Sequence, residues 1–276
     1  MRVISCDAYS LLVLFVTLRS ILRSRVDLQL KNLALRHQIG VLQCSVKKRP
    51  KLTSTDRILG YNGSDDGVRG SLVAYEADSG KEAWRFWTVP GDPAKGFESK
   101  ALEMAAKTWS GKDWWRVGGG DVWNAITYDP VTNLVIFGTA GAGVDYGKLS
   151  SIRPGGDRLF AGCIIAVQAD TGQYAWHFQT SSPGMQTENN HIVMADLVIN
   201  GDKRHVAMTV PKNGFFYVLD ARTGELLSAN PLVRTTWAMA YNLQTGKAIE
   251  LPVSRGGGKQ WTVHNWWPMS YNALAG

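Results

Sequence analysis

AYEADSGKEAW (Ala74–Trp84) and AVQADTGQYAW (Ala166–Trp176) are two copies of one pattern: a strand, an Asp, a Ser/Thr-Gly pair, a second strand, and a Trp four residues after the Gly. The Gly supplies the positive φ that a tight hairpin turn demands. The Trp offers a flat ring to whatever lies beside the hairpin. Two further copies, VLDARTGELL (Val218–Leu227) and AYNLQTGKAIEL (Ala240–Leu251), keep the turn but not the Trp. A hairpin repeated in this way predicts stacked, blade-like units, because one hairpin cannot bury its own apolar face.

The sequence around these copies is of the same kind. Short apolar runs at Leu72–Tyr75, Trp123–Tyr128, Leu134–Thr139, Ile164–Val167, Ile192–Ile199, His205–Thr209 and Phe215–Leu219 are separated by Gly-, Asn- and Asp-rich turns. Only Lys100–Lys107 offers a short helix. Many short strands suit a sandwich, a barrel or a propeller, and the repeat selects the propeller. The fold class expected for residues 61–276 is all-β, an incomplete β-propeller.

Residues 1–60 differ. They hold 11 Lys/Arg against 3 Asp/Glu, while the remaining 216 residues hold 19 against 20 and all eleven Trp. The basic pI near 9.3 therefore belongs to the head. Val26, Leu30, Leu33 and Leu28, Leu35, Leu42 recur at helical spacing, so Ile21–Leu42 reads as an amphipathic helix ending in Lys47-Lys48-Arg49-Pro50-Lys51. Thr53 or Ser54 is placed to cap a second short helix containing Asp56 and Arg57. The run Leu11–Val16 is too short for a membrane helix, which needs about 20 residues, and Arg19, Arg23 and Arg25 follow it with no small-residue cleavage site. Cys6, Cys44 and Cys163 show no metal or haem spacing and read as unpaired thiols, Cys163 as a buried strand residue. With 45% hydrophobic residues the chain is not a disordered one.

Two resemblances sharpen this. Leu28–Arg57 is similar to the N-terminal region of integrase-type transposases, without their acidic catalytic core, which implies a DNA-contacting arm, a solvated basic linker or a translated genomic junction. The body resembles quinoprotein alcohol dehydrogenases, eight-bladed propellers that use pyrroloquinoline quinone (PQQ). Four stretches carry that resemblance: NGSDDGVRGSLVAYEADSGKEAWRF from Asn62, GGGDVWNAITYDPVTNLVIFGTAGAG from Gly118, VPKNGFFYVLDARTGELLSA from Val210, and HNWWPMSYN from His264. It implies PQQ with calcium or a lanthanide, a small alcohol as substrate, a separate electron acceptor (cytochrome or quinone), and a periplasmic location. Nucleic acid is not expected as a partner, and a membrane is not expected or is met only peripherally.

The resemblance assigns roles residue by residue. Trp123 matches the floor under the PQQ ring, and Gly118–Gly120 let backbone approach a planar ligand. Asp65 matches a metal-binding Glu. Gly63 and Ser64 match the loop on the other ring edge. Lys212 matches the donor to the quinone oxygens, and Asn265 matches a pocket-lining residue. Two positions depart from the pattern. Gly141 stands where many relatives have a metal-binding Asn. Met185 stands where the family has its catalytic Asp, and Met cannot accept a proton, so Glu188, three residues on, is the stand-in base if the loop shifts. The match starts just before the metal motif, so early blades, an adjacent-cysteine pair and an upstream PQQ-binding Arg are not seen, nor are the last blades. The expected domains are a basic helical head (1–60) and a partial propeller (61–276), with alcohol oxidation impaired or absent. A non-enzymatic interaction propeller and a DNA-binding protein led by the head are the alternatives.

Overall fold

The computed structural model describes residues 57–61, 67–111, 113–116, 118–123, 126–141, 156–180, 191–251, 264 and 267–274. The expected head helix Ile21–Leu42 lies outside them. The chain divides into two units, Met1–Pro50 and Lys51–Gly276, and all described residues belong to the second.

The first sheet has three strands, β1 (Arg57–Tyr61), β2 (Ser71–Tyr75) and β3 (Glu82–Trp87), in sequence order. Arg57, expected in a short helix, instead opens β1 and pairs with Tyr75. The hydrogen-bonding partner supplied by β2 overrides a weak capping signal. After β3 come a helical turn at Pro93–Lys95, helix α1 (Lys100–Ala106) and a second turn at Trp114–Arg116. The Ser99 hydroxyl caps α1 by accepting from the Leu102 amide at 3.2 Å.

The second sheet is β4 (Ile126–Asp129), β5 (Leu134–Gly138), β6 (Cys163–Gln168) and β7 (Tyr174–Gln179). The third is β8 (Ile192–Ile199), β9 (Asp202–Thr209), β10 (Phe215–Asp220) and β11 (Leu226–Pro231). The fourth contains β12 (Ala238–Asn242) and β13 (Lys247–Glu250). Every described strand pairing is antiparallel between neighbours in sequence.

The repeat found in the sequence is the repeat of the fold. Its turn glycines Gly80, Gly172, Gly224 and Gly246 have φ of 66°, 67°, 74° and 66°. Each donates its amide four residues back, to Glu76, Gln168, Asp220 and Asn242, at 2.8–2.9 Å. The register shifts just before the turn in the first three copies, between Ala74/Tyr75, Ala166/Val167 and Val218/Leu219.

The two Trp rings occupy equivalent places. Trp84 Nε1 donates to the Ala169 carbonyl at 3.0 Å and its ring lies over Gly172; Trp176 Nε1 donates to Ala221 at 3.1 Å and its ring lies over Gly224. Each ring thus reaches from its own hairpin onto the turn of the next. In the third copy the same position is Ser228.

This docking stacks the sheets face to face. Leu72, Trp84 and Phe86 of the first sheet pack with Val135, Phe137, Ile165 and Val167 of the second. Leu134, Ile136, Ile164 and Trp176, on the second sheet's opposite face, pack with Phe215, Tyr217 and Leu219 of the third and Trp237 and Tyr241 beyond. Being covered on both faces, β5 is buried throughout, which is why Leu134–Gly138 reads as an unbroken apolar run instead of an alternation. Cys163 lies fully buried on β6, as expected, and burial pushes its thiol pKa well up. The architecture is the open, all-β stack of blades that the sequence predicted.

Candidate functional site at one end of the sheets

Antiparallel strands alternate direction, so the start of β4, the end of β5, the start of β6 and the end of β7 share one end of their sheet. The same holds for the start of β8, the end of β9 and the start of β10. Thr127 near the start of β4 donates its hydroxyl to the Ile192 carbonyl at 3.0 Å, and Ile192 pairs with Thr209. Trp123 precedes β4, Gly141 follows β5, and Lys212 connects β9 to β10. All three therefore belong to one end of neighbouring sheets.

The segment Gly118–Trp123 is built by its glycines. Gly118, Gly119 and Gly120 have φ of 69°, 108° and 66°, a run that residues with a Cβ do not adopt without strain. Gly119 accepts from the Gly70 amide at 2.9 Å, Gly120 donates to Gly141 at 2.9 Å, Ala140 donates to Asp121 at 2.9 Å, and Val122 donates to Tyr61 at 3.1 Å. The Thr88 hydroxyl donates to the Gly120 carbonyl at 2.6 Å. A Cβ on Gly120 would stand 2.6 Å from that hydroxyl oxygen. The triple glycine thus joins the first sheet to the second, a role beyond the ligand approach inferred from sequence.

Val122 is fully buried and anchors the segment, whereas Trp123 is 40% exposed. Trp123 is not a core tryptophan; it presents its ring at the surface end of the joint.

Lys212 sits half-buried in the turn Pro211–Gly214. Its neighbour Asn213, which sequence reasoning missed, is 1% exposed. Asn213 Nδ2 donates to the Thr180 carbonyl at 2.8 Å and to Tyr217 Oη at 2.6 Å. The Asn-Gly pair at 213–214 was the available signal, a turn dipeptide read only for its backbone. On the other side of Lys212, the Val210 carbonyl accepts from His264 Nδ1 at 2.7 Å, so His264 is tied to the segment that leads into the turn carrying Lys212.

The remaining candidates, Gly63, Ser64, Asp65, Met185, Glu188 and Asn265, lie outside the described residues. Among the described residues no group of three or more His, Cys, Asp or Glu could hold a metal ion. Gly141 offers no side-chain ligand, and its carbonyl accepts the Gly120 amide. Trp123 offers an exposed aromatic side chain, and the described residues do not by themselves form a metal shell.

A charged cluster braces the second sheet against the third. His205 on β9 faces Asp196 Oδ1 with Nδ1 at 2.6 Å and Asp129 Oδ1 with Nε2 at 3.0 Å. Carboxylate oxygens accept, so both contacts are hydrogen bonds only when both ring nitrogens carry a proton. Burial pulls the His205 pKa down, but its hydrogen bonds to the Asp196 and Asp129 carboxylates, with their charge, outweigh it and the net shift is upward. Asp129 also accepts from the Val131 amide at 3.1 Å, which fixes the β4–β5 turn.

The comparisons agree with this construction. Residues 33–230 match the family described as glucose/ethanol/alcohol dehydrogenase, PQQ-type β-propeller domain. The quinohemoprotein alcohol dehydrogenase ADH-IIG of Pseudomonas putida is 43% identical over 241 residues, covering 82% of this chain and 33% of that protein. The lupanine 17-hydroxylase [cytochrome c] of a Pseudomonas species is 40% identical over 83% of this chain and 36% of its own length. The solved structure of the quinohemoprotein alcohol dehydrogenase from Comamonas testosteroni superposes with a TM-score of 0.73 at 38% identity, over 81% of this chain and 35% of that one. A europium-containing methanol dehydrogenase superposes with a TM-score of 0.62 at 30% identity. The chain spans about a third of the length of these relatives. With the stacked blades, the docked tryptophans and the glycine-built segment bearing Trp123 all in place, the chain belongs to the family of PQQ-dependent alcohol dehydrogenase β-propellers.

Proposed function

We propose that this chain is the quinone-binding part of an alcohol dehydrogenase propeller, and that alone it turns over alcohol poorly or not at all. The exposed Trp123, beside the glycine segment that joins two sheets, carries this reading. In it, Trp123 lies under the PQQ ring, Lys212 donates to the quinone oxygens, and Gly63, Ser64 and Asn265 line the edges. When bound, PQQ supplies the two-electron acceptor for alcohol oxidation. Met185 stands where the family has its base, so Glu188 could take the hydroxyl proton of a small alcohol only if its loop shifts, and Asp65 would contribute to a calcium or lanthanide site.

The deficit follows from the side chains. Gly141 contributes no ligand and Met185 no base. Losing a positioned base typically costs about 10²–10⁴ in rate. Electrons would leave to a separate cytochrome or quinone, in line with relatives named for cytochrome c and for quinone, and a periplasmic setting follows from the family. The relatives are dehydrogenases, which sets aside a purely non-enzymatic propeller. The basic head is proposed as a unit of separate chemistry, with β1 counted in the body.

The test is dye-coupled alcohol oxidation by the purified chain given PQQ with Ca²⁺ or a lanthanide. No turnover above background is expected. Turnover on ethanol or methanol that disappears in Glu188→Ala would overturn the inactive reading and assign the base to Glu188.

A further inference from the structure

The turn that carries Lys212 is held only weakly by its own internal backbone bond. The Gly214 amide reaches the Pro211 carbonyl only at 3.4 Å, a long contact for a turn. A ring of side chains holds it instead. Asn213 Nδ2 uses both hydrogens, on the Thr180 carbonyl and on Tyr217 Oη. Tyr217 Oη donates to Tyr241 Oη at 2.7 Å, and Tyr241 Oη donates to the Thr180 carbonyl at 3.0 Å. The ring closes on Thr180, directly after β7.

Asn213 makes two further bonds. Its Oδ1 accepts from the Phe215 amide at 3.2 Å, and its main-chain carbonyl accepts from Trp237 Nε1 at 2.9 Å. Turning the amide over would set Oδ1 against the Thr180 carbonyl, so its orientation is unique. The Phe215 and Tyr241 rings meet edge to face at 5.1 Å and close the site to water. Burial raises the pKa of both Tyr217 and Tyr241, so both hydroxyls keep their protons.

We propose that Asn213 is a positioning residue for Lys212: its buried hydrogen-bond ring fixes the backbone from which Lys212 extends toward a bound quinone. The inference rests on the quinone-binding reading above. Lys212 is bracketed by Asn213 on one side and by Val210, held by His264, on the other. A long, flexible side chain binds more tightly when its root is fixed, because less of its freedom remains to be lost.

The experiment is a PQQ titration of the full chain, followed by quinone absorbance and tryptophan fluorescence, with a melting curve for each variant. Lys212→Ala tests the site itself and is expected to weaken binding. Asn213→Leu is expected to weaken it roughly tenfold, with no further loss when combined with Lys212→Ala. Val218→Ala, on the opposite face of β10 among Ala195, Val206 and Met208, is expected to lower the melting temperature and leave affinity unchanged. Tyr217→Phe keeps the aromatic packing and removes one acceptor of Asn213; a smaller loss is expected, and this variant carries the test if Asn213→Leu does not fold. Wild-type affinity in both Asn213→Leu and Tyr217→Phe, an equal affinity loss in Val218→Ala, or additive losses with Lys212→Ala would overturn the proposal. Undiminished affinity in Lys212→Ala, or no binding by the wild-type chain, would overturn the site reading and this inference with it.

Discussion

Gly224→Ala places a methyl group where the Trp176 ring lies. The added Cβ would stand 2.5 Å from Cε3 and 2.8 Å from Cδ2 of that ring, at a backbone φ of +74°. Gly80→Ala is the control: it occupies the same turn of the first repeat at φ +66°, with nothing within 4 Å of the added atom. Gly80→Ala therefore reports left-handed strain alone, about 1–2 kcal/mol. Gly224→Ala adds to that strain the displacement of a packed ring, about 1–3 kcal/mol, and the weakened Trp176–Ala221 hydrogen bond, about 1 kcal/mol net. The two substitutions should differ by about 2–4 kcal/mol, or roughly 4–16 °C in melting temperature for a domain of this size. Urea unfolding and scanning calorimetry on both variants measure the difference directly. Equal losses in the two variants would refute the claim that ring docking, and not the turn alone, joins neighbouring blades.

Two further outcomes follow. Trp84→Phe keeps an aromatic ring but leaves the buried Ala169 carbonyl without the indole N–H, so a loss of about 1–3 kcal/mol is expected in the same unfolding assay. His205 has its folded pKa raised above the unfolded value, so its contribution is fully present below the unfolded value of about 6.5 and is lost as pH rises through the folded pKa. The melting-temperature gap between wild type and His205→Gln should therefore be largest in mild acid and shrink as pH rises through the raised folded pKa, and a gap independent of pH would show that the imidazole is not charged between the two carboxylates.

Much of this fold was legible because the repeat and its physical cause coincide. A Gly at positive φ and a Trp four residues later are both demanded by one local geometry, so Ala74–Trp84 and Ala166–Trp176 announced equivalent hairpins. The helix at Lys100–Ala106 was readable from the same kind of local pattern. Arg57–Tyr61 was not, because its strand character comes from pairing with Ser71–Tyr75 and not from its own composition. At the site, Trp123 and Lys212 stood out as functional residue types in recognisable stretches. Asn213 did not, since its importance lies in partners at Thr180, Tyr217 and Trp237 that only the fold assembles. The triple glycine was noticed for ligand approach, while its contacts with Gly70, Thr88 and Gly141 are tertiary and invisible along the chain.

The central claim is that Trp123 marks a retained quinone site, and PQQ affinity of the wild-type chain against Trp123→Ala tests it most directly. Trp123 is 40% exposed and its anchoring neighbour Val122 is untouched by the change, so the melting temperature should hold within experimental scatter. The expected result is saturable PQQ binding by the wild-type chain that weakens in Trp123→Ala by roughly tenfold or more, as the loss of about 1–3 kcal/mol of ring stacking implies. Equal affinity in the two proteins, or no saturable binding by the wild-type chain, would contradict it.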